Sequence, residues 1–186
     1  MIRRVGSSRA IERLSAVIEL IAMYLPGGLR VILGCDPPPA PEALSELIKS
    51  LRSRPQLSVR IVGGLVTSEA EAMVALEEKI NEIVAEGGGW ENIARAAKLV
   101  SEYHPTQWRR FEDSILHPAS LDVIALRHRL STRGLIKSNK SVCDKIAITA
   151  AMRPPVPVQE SSSQETGPRK SKKGSLKSAL KGSLTN

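Results

Sequence analysis

Apolar residues recur at helical spacing along most of this chain. Ile11, Leu14, Ile18, Ile21 and Leu25 stand 3, 4, 3 and 4 residues apart, which on a helix is one continuous stripe. Val17, Leu20 and Met23 widen it, so a helix over residues 8–25 is expected to be buried on more than one side. Pro26-Gly27-Gly28 ends it by removing an amide and adding two flexible positions. The same period returns over residues 40–51, in Leu44, Leu47, Ile48 and Leu51, and stops at Pro55. After Ser68 it appears in Met73, Leu76, Ile80 and Ile83, with Glu77, Glu78 and Glu82 on the wet face. Ser68 and Glu71 have the spacing of a capping box. A further stripe over residues 90–103 (Ile93, Ala96, Ala97, Val100) follows Gly87-Gly88-Gly89, which predicts an antiparallel helical hairpin. Beyond His104-Pro105, residues 106–116, 120–130 and 141–152 read as shorter helices, with Ser120 as a cap and STRGLIKSNK as a turn.

Two segments depart from the helical period. Residues 29–35 (LRVILGC) form an apolar run rich in β-branched side chains, bounded by glycine and by Asp36-Pro37-Pro38-Pro39, as in a buried strand. Residues 57–62 (LSVRIV) alternate apolar and polar, the mark of a half-buried strand. With the helix between them they have the length of a βαβ unit. The expected fold class is therefore mainly α-helical (α+β), a helical bundle with a small βαβ-like element near residues 29–64. Two strands alone make a poor sheet, so this element must pack on helices or pair with a second chain.

Composition changes at residue 153. The segment 153–186 has no aromatic residue, and six cations (Arg169, Lys170, Lys172, Lys173, Lys177 and Lys181) lie between residues 169 and 181 with no acid among them. Such a segment does not bury enough apolar surface to offset the entropy of ordering, so it is expected to be a disordered, Pro/Ser/Lys-rich basic tail. Residues 1–152 are expected to form a single globular, mostly helical domain. The formal net charge of the whole chain is +8. Residues 151–186 contribute +5 of it and residues 1–150 only +3. The polyanion-seeking part of the chain is its end.

The aromatic inventory is Tyr24, Trp90, Tyr103, Trp108 and Phe111, four of them close enough in sequence to predict one local cluster. So few aromatics disfavour recognition of single strands by aromatic stacking, and would suit a viral accessory protein. Cys35 and Cys143 are too few for a disulfide scaffold and read as small buried hydrophobes. The apolar stretch 14–35 is interrupted by Glu19, Arg30 and Pro26-Gly27-Gly28, so no transmembrane segment is expected. ILGC before DPPPAP resembles a lipoprotein cleavage box, but Arg30 interrupts its apolar region. The arginine-rich start resembles a mitochondrial presequence, although Glu12 and Glu19 count against it. A cytoplasmic or nuclear location is expected, and residues 168–173 resemble a short nuclear-import signal.

Catalytic and metal chemistry finds little purchase. His104, His117 and His128 lack partners at metal-ligand spacing, Asp36 reads as the start of a turn, and the glycine clusters lack a phosphate-loop pattern. No catalytic residue, metal or cofactor is expected; an enzyme centred near Asp36 and Gly63 is the least supported alternative. LDVIALRHRL and KSVCDKIAIT have the cadence of a helix-turn-helix, with Arg127, Arg129, Arg133, Lys137, Lys140 and Lys145 gathered there. Against it, STRGLIKSN is longer than the usual turn of about 3–4 residues. The expected function is a non-enzymatic accessory or regulatory protein that associates with nucleic acid, RNA or DNA, through the tail and the cations near residues 121–152. The alternative is a self-associating interaction scaffold, a homo-oligomer held by the long apolar stripes.

Overall fold

The structure, a computed structural model, describes residues 8–63 and 69–152, without the side chains of residues 41, 44 and 69–75. In chain order the described residues form α1 (Ser8–Tyr24), α2 (Gly28–Ile32), α3 (Pro41–Arg52), α4 (Pro55–Ile61), α5 (Glu69–Glu86), α6 (Gly89–Tyr103), α7 (Pro105–Leu116), α8 (Leu121–Arg127) and α9 (Thr132–Met152). Three of these helices, α3, α4 and α7, begin on a proline, whose fixed φ suits the first turn and whose missing amide costs nothing there. Among the described residues no helix is long and apolar enough to cross a membrane.

Helix α1 is the hub. It packs against α9, α2, α4, α5 and α3, and Leu14, Ala16, Val17, Ile18, Leu20, Ile21 and Ala22 are all buried along it. Burial on several faces, expected from the widened stripe, follows from this central place. Each fully buried Leu or Ile contributes about 1.5–3 kcal/mol of transfer free energy, so α1 is the largest single source of hydrophobic stabilisation here. Helix α9 is its main partner and also packs on α6, α7 and α8. Helices α5 and α6 are joined by Gly87-Gly88 and pack on each other. The buried Asn92 amide donates to the carbonyls of Gly87, at 2.6 Å, and Ala150, at 2.9 Å. That side chain ties the α5–α6 link to the end of α9.

The βαβ-like element is not there. Residues 29–35 and 57–62 hold short helices, α2 and α4, and no strand occurs among the described residues. In the second segment, alternation would bury Leu57, Val59 and Ile61 together. Instead Leu57, Ser58 and Ile61 are buried and Val59 is 53% exposed, a helical pattern. A lone pair of strands would leave most of its backbone polar groups unpaired, whereas a helical turn pairs them locally. Pressed against α1, both apolar runs bury the required side chains as helices.

The second correction concerns residues 131–140. All but Ser131 belong to the first turns of α9, which runs unbroken from Thr132 to Met152. Leu135, Asn139, Val142, Ile146 and Ala150 are buried in sequence along it, so the apolar stripe continues through a polar residue. Both amide atoms of Asn139 lack a hydrogen-bond partner among the described residues.

Three smaller expectations also change. Among the described residues only Trp108 and Phe111 make a ring contact, with centroids 5.6 Å apart, while Tyr103 is 77% exposed. Ser120 stands at the N-cap of α8 but its hydroxyl makes no capping hydrogen bond. Cys143 is buried as expected, but Cys35 is exposed. The capping box at Ser68 and Glu71, and the whole of the basic tail, lie outside the described residues.

Candidate nucleic-acid interface

Helices α8 and α9 are joined by residues 128–131, a four-residue connection. That length is the one a helix-turn-helix uses, and the longer turn inferred from sequence came from reading the start of α9 as loop. The pair carries its own small core, in which Ile124, Ala125 and Leu135 are buried and Ala119, Leu121 and Leu130 pack against them. Backbone amides of His128, Arg129 and Leu130 donate to carbonyls within α8, closing its end. Arg129 takes a left-handed conformation (φ 56°) to turn the chain, and Thr132 is hydrogen-bonded to Asp122 across the turn. His128 Nε2 lies 2.8 Å from Asp113 Oδ2 and fastens the turn to α7.

This framework sets the cations expected from sequence. Arg127, Arg129, Arg133, Lys137 and Lys140 are all exposed. Arg133, Lys137 and Lys140 stand 4 and 3 residues apart on α9 and so share one face of it. None of the five forms an ion pair among the described residues. Arg127 Nη2 lies 3.0 Å from His117 Nε2, while His117 Nδ1 accepts from the Ala119 amide. Arg127 thus faces an imidazole nitrogen and no carboxylate. Lys145, also gathered into this group from sequence, is instead bonded to Gln107 on α7. The tail cations Arg169, Lys170, Lys172, Lys173, Lys177 and Lys181 lie outside the described residues.

Sequence reasoning missed the neighbours of this face. Lys140 borders a cleft of about 450 Å³ that is walled on the other side by α4 and the turn before it, including Arg54, Gln56 and Leu57. Within it Arg60 Nη1 pairs with Glu19 Oε2 at 3.1 Å, both side chains largely buried. Arg54 lies with its guanidinium 4.8 Å over the ring of Tyr24. Burial raises the Tyr24 phenol above its ordinary value, and Arg54 offsets this only in part. Nothing in the local sequence marks Arg54 and Arg60: Arg60 lies in the segment 57–62 that mimics a strand, and Arg54 in the short break before Pro55.

The rest of the polar inventory is structural. Ser15 donates to Asp144 Oδ1 at 2.5 Å and joins α1 to α9. Asp36 pairs with Arg30 at 3.1 Å, closing the loop after α2. Cys143 is fully buried, and desolvation pushes its thiol well above the ordinary range, the wrong direction for a nucleophile. Among the described residues no group of three or more His, Cys, Asp or Glu side chains is placed to hold a metal ion. No protein family matches the chain, and no curated protein or solved structure is similar to it.

Proposed function

We propose that this protein is an accessory protein that associates with nucleic acid, using the exposed cations of α8–α9 together with the basic segment at its carboxyl end. The observation that carries the proposal is the stripe of Arg133, Lys137 and Lys140 on one exposed face of α9, unpaired with any carboxylate among the described residues. Cations left unpaired in this way have displaceable counter-ions, and their release on meeting phosphates drives sequence-tolerant binding. Arg127 and Arg129, at the end of α8 and in the turn, are exposed as well. The six tail cations add reach in sequence terms.

Both parts are separable by experiment. On a single strand each phosphate neutralised contributes about 0.7 to the slope of log K against log salt. The intact chain is expected to elute late from heparin or single-stranded DNA, and deletion of 168–186 is expected to reduce the slope by about 4. Arg133→Glu with Lys137→Glu, both at exposed positions, is expected to lower it by at least about 1.4 more. If the double variant and the intact chain elute at the same salt concentration, α9 is not the interface.

A second reading, self-association, is supported by the apolar surface of α8, where Val123 is 51% and Leu126 78% exposed. It predicts a sedimentation mass above 20.2 kDa that falls to the monomer value in Val123→Ser with Leu126→Ser. A monomeric wild type at micromolar concentration would rule it out.

A further inference from the structure

Resting on the nucleic-acid reading of α9, we infer that the cleft between α4 and α9 receives one unstacked base of a single strand whose phosphates lie on the α9 stripe. Lys140 belongs to both features: it ends the stripe and borders the cleft. Ile136, on the same turn of α9, is half exposed and forms an apolar wall together with Leu57 and Pro55. At about 450 Å³ the space lies within the range of small-molecule pockets, about 300–1,000 Å³, and is large enough for a base and its sugar.

Stacking is the element that the sequence lacked. Trp108 and Phe111 are packed inside, and the residues that line the cleft include no aromatic ring. Arg54 supplies a planar surface instead. It is exposed at the edge of the cleft, and its guanidinium carbon lies 4.8 Å from the centroid of the Tyr24 ring. A base entering beside it would stack on a guanidinium plane, as single-stranded bases do on arginine in RNA recognition. Gln56 offers an amide donor and acceptor to the base edge. Glu19 would repel a phosphate, but Arg60 neutralises it at 3.1 Å, and phosphates stay outside on the stripe.

Strandedness follows from the same geometry. At Lys140 the basic face of α9 meets the cleft, whose opposite wall is α4. A duplex keeps its bases stacked and has none to place there, whereas a single strand does.

The test is fluorescence anisotropy with the full chain and three probes of equal length: oligo-dT, the same strand with abasic residues, and the dT·dA duplex. Oligo-dT is expected to bind about tenfold tighter than the abasic strand, the size of one stacked base. Arg54→Lys keeps the charge but loses the plane. It is expected to bring oligo-dT down to the abasic affinity without changing the abasic affinity or the salt slope. Ile136→Ala should act in the same direction. Equal wild-type binding of all three probes would overturn the base pocket while leaving phosphate association in place. An undiminished preference for oligo-dT in Arg54→Lys would overturn the role of Arg54 and with it the pocket. Failure of every probe to bind at low salt would overturn this inference and the underlying function together.

Discussion

Gly28→Ala is expected to cost about 3 kcal/mol or more. Gly28 is the first residue of α2, where the chain turns back against the end of α1. A Cβ there would lie 1.6 Å from the carbonyl oxygen of Ile21, 2.6 Å from its carbon and 3.2 Å from Leu25 Cβ. The obstacle is backbone, so no side-chain rotamer relieves it, and α2 would have to move away from the helix that anchors it. Gly89→Ala is the control. Gly89 has φ +84° with nothing within 4 Å of its missing Cβ, so alanine there meets only the left-handed penalty of about 1–2 kcal/mol. Urea denaturation followed by tryptophan fluorescence compares the two at equal m. A Gly28→Ala midpoint at or above that of Gly89→Ala would show that the α1–α2 contact is not as close as described.

Phe111→Ala is expected to cost about 3–5 kcal/mol, a large part of the roughly 5–15 kcal/mol that holds a domain of this size together. Phe111 is fully buried in the main core and tilted at 54° against Trp108, one turn earlier on α7. With so few aromatic residues, no neighbouring ring is placed to fill the void. The loss combines the transfer free energy of the ring with the cavity left behind, and Trp108 loses the edge against which it packs. Tyr103→Ala provides the contrast, since Tyr103 is 77% exposed and its loss is expected to stay within about 0.5 kcal/mol. Denaturation midpoints and the near-ultraviolet circular dichroism of Trp108 report both effects. A Phe111→Ala protein as stable as Tyr103→Ala would remove α7 from the main core.

The two errors of sequence reading share a cause. Residues 57–62 alternate only because Ser58 and Arg60 fall between apolar residues, yet Ser58 is buried and Val59 faces out. Asn139 has the opposite effect: a polar residue at a core position breaks an otherwise continuous stripe and disguises the first turns of α9 as a loop. In both places one polar side chain on the unexpected face reversed the apparent period. Of the candidate interface, the cations at 127, 129, 133, 137 and 140 were legible, because exposed charges near helix ends announce themselves by composition. Arg54 and Arg60 were not, since their association with α9 spans about 80 residues of chain and depends on α1 lying between.

The alternation of Ile, Leu and Val at 3.6-residue spacing was sufficient by itself to determine that α1, α3, α5 and α6 are helices and which of their described faces turn inward. Local periodicity fixes those because each side chain's direction follows from its own helix. Whether the short apolar runs at α2 and α4 became strands or helices was decided by α1, which offers them a surface to cover but no strand to pair with. The meeting of Arg54 with Tyr24, and of Lys140 with the α4 wall, was likewise settled only when the helices packed. Those contacts are distant along the chain, and no local pattern carries the geometry that brings them together.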